Sequence, residues 1–282
     1  MASQPSVERA HCCHVCETER DEARQIQRSL LPGVELKGSS FEVAYRFSPF
    51  AEVGGDFADF FALPNGLIGL YVGDVVGKGL PAAMYAALVM GMLRGINKTG
   101  EDPASVLALL NKRLLVRTVS GRYAATLYAL FNPATLELTF SNAGLPFPLL
   151  SFKGGCKQLG HGGIPIGLFT DSQYVLHSVR LSPGDAVLFA TDGLHELRGL
   201  RGDDFSWERL PEIWHECGKK SAAESLEFLY RGVKEFSEGG AQHDDITAVV
   251  LKVPPGKREL PRGAVSLGQE AVEIETCVLR SN

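Results

Sequence analysis

The sequence predicts an α+β protein built of antiparallel sheets covered by helices. Two observations carry this. Short segments in which apolar residues alternate with less apolar ones recur along the 282 residues, and a period of two marks a half-buried strand. Segments with helical spacing come in two separate pairs, instead of one after every strand as a parallel βαβ fold requires.

Taken in order, Glu17 to Leu31 reads as a helix. Ile26, Leu30 and Leu31 form its apolar stripe, charges fill the rest, and Pro32-Gly33 ends it. It is too short to read as a coiled coil, yet long enough to pair two subunits or dock on the domain C-terminal to it. The core begins near Phe41, where Phe41, Val43, Tyr45 and Phe47 alternate. Phe57 to Leu63 and Leu67 to Val75 are two further strands around the turn Pro64-Asn65-Gly66. The period then changes. Leu80 to Ile96 is a helix rich in Ala, Leu and Met, with Pro81 tolerated in its first turn. Asp102 caps a second helix that has Pro103 at its first position.

Strands return at Ala124 to Phe131, Leu136 to Asn142, Pro148 to Phe152, Tyr174 to Leu181 and Ala186 to Ala190. Two helices come next, Trp207 to Cys217 and Ala222 to Phe236. Ser221 and Glu224 form a capping box for the second. The strand Ile246 to Val253 closes the domain. Pro254-Pro255-Gly256 opens a linker, and a late strand at Ala271 to Val278 is expected in the tail. The division is therefore 1–32, an N-terminal tail and linker helix; 33–253, the main domain; and 254–282, a linker and tail.

Composition narrows the function. A 45% hydrophobic share supports an ordinary globular core. The net charge of -5 argues against a nucleic-acid surface. No apolar run approaches the ~20 residues of a membrane span, and Met1 to Arg20 has no signal-peptide stretch, so the expected location is cytoplasmic, away from membranes. Three of the six cysteines, Cys12, Cys13 and Cys16, bunch near the N-terminus. With His11 and His14 they could bind zinc or sense redox state. No second ligand pair occurs at finger spacing, and we read a frayed tail with incidental thiols.

Four motifs place aspartate beside glycine or at the end of an apolar run. They are Val53-Gly54-Gly55-Asp56-Phe57, Gly73-Asp74-Val75-Val76-Gly77-Lys78-Gly79, Thr191-Asp192-Gly193 and His243-Asp244-Asp245-Ile246-Thr247. One such aspartate is usually a turn residue. Four at strand ends are an oxygen-only donor set of the kind Mg²⁺ and Mn²⁺ prefer. If they converge, two charges ~4 Å apart repel by about 4 kcal/mol at an effective dielectric of 20, a cost that divalent cations remove. A metal-dependent hydrolase of phosphate esters is the first reading, with a metal-activated water as nucleophile. Gly73 to Gly79 is not a Walker loop, because three residues separate Gly73 from Gly77 and Gly79 comes after the lysine. Gly54-Gly55-Asp56-Phe57 lacks the glutamate of the diguanylate cyclase signature.

By its ordered motifs the chain resembles the metal-dependent protein phosphatases of the protein phosphatase 2C type, in the bacterial SpoIIE/RsbU branch that regulates sigma factors. The series runs from Ile26-Gln27-Arg28-Ser29-Leu30-Leu31-Pro32 through the first two aspartate motifs and Leu80-Pro81-Ala82-Ala83. It continues with Ser141-Asn142-Ala143-Gly144, Ile164-Pro165-Ile166-Gly167 and Pro183-Gly184-Asp185, and ends with the last two aspartate motifs. The resemblance implies an α-β-β-α sandwich of two antiparallel sheets flanked by helix pairs, with two Mn²⁺ or Mg²⁺ ions where the sheets meet. It implies that Asp74 bridges the ions and the Val75 carbonyl completes one shell. Asp192 and Asp244 would hold one ion, and Asp56 would act directly or through water. Of the Asp244-Asp245 pair only the first matches the usual ligand, which leaves Asp245 either as a further ligand or as an organiser of the turn.

The implied substrate is a phosphoserine or phosphothreonine protein, in this branch a STAS-domain anti-sigma-factor antagonist. Two positions depart from the branch pattern: Val76 stands where serine is usual, and Leu145 where histidine is usual. His195 and His243 flank metal aspartates and read as loop histidines before general acids. A catalytically silent scaffold of the same pathway is the alternative function. The helix Glu17 to Leu31 would receive a partner or form a homodimer, and would act on the helices at Leu80 to Ile96 and Ala104 to Val116.

Overall fold

The computed structural model describes residues 6–96, 99–197, 205, 209–217, 220–237, 242–255 and 266–267. The N-terminal helix α1 spans Ser6–Leu30 and so begins earlier than Glu17. The frayed-tail expectation is corrected here: Cys12, Cys13 and Cys16 fall on helical backbone. No glycine or proline lies between Ser6 and Leu30 to interrupt the helix.

The strands are β1 Glu35–Lys37, β2 Glu42–Ser48, β3 Phe57–Ala62 and β4 Ile68–Val75. Helices α2 Gly79–Ile96 and α3 Pro103–Val116 come next. They are succeeded by β5 Ala124–Asn132, β6 Glu137–Ala143, β7 Leu149–Phe152, β8 Gly155–Gln158, β9 His177–Arg180 and β10 Ala186–Ala190. A 3-10 turn at Asp192–Leu194, then α4 Arg209–Cys217, α5 Ala222–Ser237, β11 Ile246–Lys252 and β12 Ser266–Leu267 complete the order.

Two antiparallel sheets result. One has the order β12-β1-β2-β11-β10-β7-β8 and the other β3-β4-β5-β6-β9. Between them lies a core that includes Phe41, Val43, Leu70, Phe131, Phe140, Phe189 and Val249. A second core packs α2 and α3 on the five-stranded sheet through Val89, Leu93, Leu107, Leu110 and Tyr128. A third packs α4 and α5 on the seven-stranded sheet through Trp214, Leu229, Ala248 and Val250. These are four layers, α-β-β-α, as expected.

Local signals act as their chemistry predicts. The Asp102 side chain accepts from Ser105 N at 3.0 Å and caps α3. The Ser221 amide donates to Glu224 Oε2 at 3.0 Å while Glu224 N donates to Ser221 Oγ at 3.3 Å, closing the capping box of α5. Other details differ. β1 and β8 carry no clear sequence signal, being three and four residues long and only partly buried. β9 is shorter than Tyr174 to Leu181. In the 254–282 stretch, Leu267 pairs with Leu36 and Ser266 with Lys37, because the free edge of β1 offers unpaired backbone groups. The predicted strand at Ala271 to Val278 lies outside the described residues.

One expectation from composition needs correction. α2, at 18 residues, is long and apolar enough to cross a membrane by length and composition. In this fold its inner face is core: Ala82, Tyr85, Ala86, Val89, Met90 and Leu93 are buried against β4, β5 and α3. A helix packed between sheet and solvent needs that apolar content without any membrane.

Candidate active site

The sheet register builds the first half of the site. Phe57 lies opposite Gly73 and Ala58 opposite Val72, so the next pair outward is Asp56 facing Asp74, at the ends of β3 and β4. Directly opposed strand residues stand about 4.5–5.5 Å apart. The other half comes from the second sheet. Ala190 pairs with Ala248, and Thr191 N donates to Thr247 O at 3.0 Å. The chain beyond β10 therefore turns at Asp192, beside the Asp244-Asp245 turn that enters β11. Asp56, Asp74, Val75, Asp192 and Asp244 thus gather at one edge, where the sheets meet.

Hydrogen bonds tie the two halves together. Thr191 Oγ1 donates to Asp56 Oδ2 at 2.8 Å and accepts from Thr247 N at 3.0 Å. Asp245 is buried, and its carboxylate accepts from Phe50 N at 2.8 Å and from Gly55 N at 2.7 Å. These bonds tie the turn before β11 to the segment that leads into β3. The glycines are needed for space. A Cβ on Gly54 would sit 2.3 Å from Asp245 Oδ2, one on Gly55 2.8 Å from the Val75 carbonyl oxygen, and one on Gly193 2.0 Å from the Asp245 carbonyl oxygen.

Electrostatics report the crowding. Burial and then the charge of Asp74 hold the Asp56 carboxyl well above the ordinary carboxylate range. Burial, and after it the charges of Asp192 and Asp244, pushes Asp74 up to about 7. Burial, Glu196 and Asp244 raise Asp192. Each shift includes repulsion from another carboxylate, which places these side chains within mutual electrostatic reach. Among the described residues no three His, Cys, Asp or Glu side chains close into a ready-made metal cage. The donor chemistry still fits hard cations, which retain several waters and need only one or two carboxylates each.

Several contributors carry no sequence signal strong enough to single them out. Thr191 precedes a candidate aspartate but offers no chemistry until the second sheet brings Asp56 to it. Lys78 Nζ lies 2.8 Å from Asp244 Oδ2, and Arg122 donates to the Val76 carbonyl across Gly77, whose φ is +98°. Gln27 of α1 donates to Gly54 O at 2.7 Å and accepts from Gly54 N at 3.1 Å. In the sequence it is visible only as one letter of a motif.

The two departures are accommodated. Leu145 is buried in the core between the sheets, and Asn142 holds its backbone at 2.9 Å and 2.8 Å across Gly144. Val76 N donates to Tyr123 O at 3.1 Å. Burial holds His195 down at about 4, so it is neutral at pH 7 and suits a packed loop. His243 is exposed, and its carbonyl accepts from Lys78.

Known proteins are similar to this chain in sequence and fold. "Protein IcfG" of Synechocystis is 24% identical over 261 residues, 83% of this chain and 41% of its own length. "Phosphoserine phosphatase RsbU" of Bacillus subtilis is 26% identical over 234 residues, 82% of this chain and 68% of its own. The chain therefore spans less than half of one curated relative and about two thirds of the other. Among solved structures, "SiaA-PP2C domain of Pseudomonas aeruginosa" superposes with a TM-score of 0.74 at 20% identity, covering 86% of this chain and 98% of that one. That likeness fixes the fold as the protein phosphatase 2C type. The family model described as "Stage II sporulation protein E (SpoIIE)" matches residues 64–254, most of the chain, and the chain belongs to that family.

Proposed function

We propose that this chain is a Mn²⁺- or Mg²⁺-dependent protein serine/threonine phosphatase whose catalytic unit is 33–253. The observation that carries the reading is the meeting of Asp56, Asp74, Asp192 and Asp244 from two sheets, each raised carboxyl repelled by another. Asp74, the Val75 carbonyl, Asp192 and Asp244 would hold the ions, and Asp56 would contribute directly or through water. When bound, such ions would supply Lewis acidity and a water of lowered pKa. The protein's part is positional. Thr191 fixes the Asp56 carboxylate, the Asp245 clamp fixes both turns, and Gly55 keeps the Val75 carbonyl clear. The favoured substrate is a phosphorylated STAS-domain regulator, by analogy with the partner-switching relatives, and the expected location is the cytoplasm.

The assay is release of p-nitrophenol from p-nitrophenyl phosphate with Mn²⁺, with and without chelator. Chelator-sensitive turnover that Asp74→Asn and Asp192→Asn both abolish, with unchanged circular dichroism, is expected. Absent turnover favours the silent-scaffold alternative, and full activity in either variant overturns the site.

Regulation is proposed to enter through α1, which binds a partner or a second copy. Arg94 of α2 bonds the Leu30 carbonyl at the end of α1 and Asp59 of β3. A cavity of about 190 Å³ between α1 and α2, lined by Ile26, Gln27, Met84, Met90 and others, reaches Asp56. Ile26, Leu80, Met84 and Leu88 leave an exposed apolar stripe alongside it. Removing residues 1–28 with no change in activity or oligomeric state would refute this.

A further inference from the structure

Lys78 sits in the site and the hydrolytic reading gives it no task. It lies between Gly77 and Gly79, whose φ values of +98° and +70° belong to the left-handed region. This tight turn carries the side chain back across the site instead of out along α2. Its ammonium lies 2.8 Å from Asp244 Oδ2, bonds the His243 carbonyl, and rests 5.1 Å from the centre of the Phe50 ring. Phe50 belongs to the segment whose amide binds Asp245. One cation thus ties the loop after β4 to the segment before β3 and to the turn before β11.

We propose that Lys78 is a tethered counter-cation that occupies Asp244 and must leave before a divalent ion can use that carboxylate. The inference rests on the metal-site reading and deepens it. Three facts argue for displacement over permanent pairing. The carboxylate that Lys78 neutralises is one of the four assembled from both sheets. The pair is partly exposed, at 46% and 35% of the two side chains, so its attraction is modest and reversible. The other contacts of the ammonium, a carbonyl and a ring face, hold it nearby once Asp244 is taken. Lys78 then lowers metal affinity and keeps the acidic edge folded when no ion is present.

The test uses the full chain with Mg²⁺ alone as probe. Isothermal titration calorimetry compares the wild type with Lys78→Met, and ¹³C-labelled reductive methylation with NMR detection reads the Lys78 amine directly. The expected results are about fivefold tighter Mg²⁺ binding in Lys78→Met, the upper end for a partly exposed pair, and a wild-type Lys78 resonance that moves towards that of a free lysine on Mg²⁺ addition. Wild-type binding with an unmoved Lys78 resonance, or with equal affinity in Lys78→Met, overturns the proposal and leaves the metal site standing. No binding by either protein instead overturns the site reading, and this proposal with it.

Discussion

Gly54→Ala is a one-methyl change that should damage the site through Asp245. The three atoms nearest the added Cβ are all of the Asp245 carboxyl group, at 2.3, 2.5 and 2.6 Å. That carboxylate cannot swing aside freely, since it is buried and accepts from Phe50 N and Gly55 N. Hydrogen bonds to a charged group contribute about 1.5–3 kcal/mol each. Loss or severe distortion of both should cost about 3–5 kcal/mol, somewhat less than their sum because the turn can partly relax. Asp245→Ala removes the same bonds by another route and should cost a similar amount. The informative variant is the double one. With the carboxylate gone, the alanine methyl has nothing to strike, so Gly54→Ala in the Asp245→Ala background should cost under about 1 kcal/mol. Urea denaturation of the four proteins in chelator measures this cycle without metal linkage. Additive costs would refute the clash as the cause.

Gln27→Ala removes both side-chain bonds to Gly54 and should lower stability by about 1–2 kcal/mol; its effect on p-nitrophenyl phosphate turnover should exceed that of a substitution at exposed Arg28. Trp214→Ala empties a fully buried site and leaves the Leu149 carbonyl without its 2.9 Å partner, a loss of about 4–5 kcal/mol by chemical denaturation. Asp102→Ala should cost about 1 kcal/mol at neutral pH. The Ser105 hydroxyl and amide hold the Asp102 carboxyl below its usual value. Its contribution is therefore complete above the unfolded pKa of about 3.9 and lost as pH falls through the lower folded value. The gap between wild type and variant should therefore begin to close only below the unfolded pKa of about 3.9 and should vanish once pH has passed below the lowered folded value.

Legibility depended on whether the signal was local. Asp102, Ser221 and Glu224 were readable because a cap is a contact three residues long. The α2 boundaries were readable to within one residue, from the change of period at Leu80 and the end of the apolar run at Ile96. β8 was not, because Gly155–Gln158 is a partly exposed four-residue edge without a buried face. The length of α1 was hidden because its first turns carry cysteines and histidines, which invite a chemical reading and say little about the helix beneath.

The sequence by itself determined the class of the fold, the order of most elements and the identity of the acidic residues, because periodicity and turn chemistry are properties of neighbouring residues. Tertiary structure alone decided which side chains share a space. The opposition of Asp56 to Asp74 comes from strand register, the Thr191 bond to Asp56 from the approach of two sheets, and the Lys78 bond to Asp244 from a chain separation of 166 residues closed by folding. Charges so far apart along the chain interact only after hydrophobic burial has paired their strands, so no local pattern could announce the partnership.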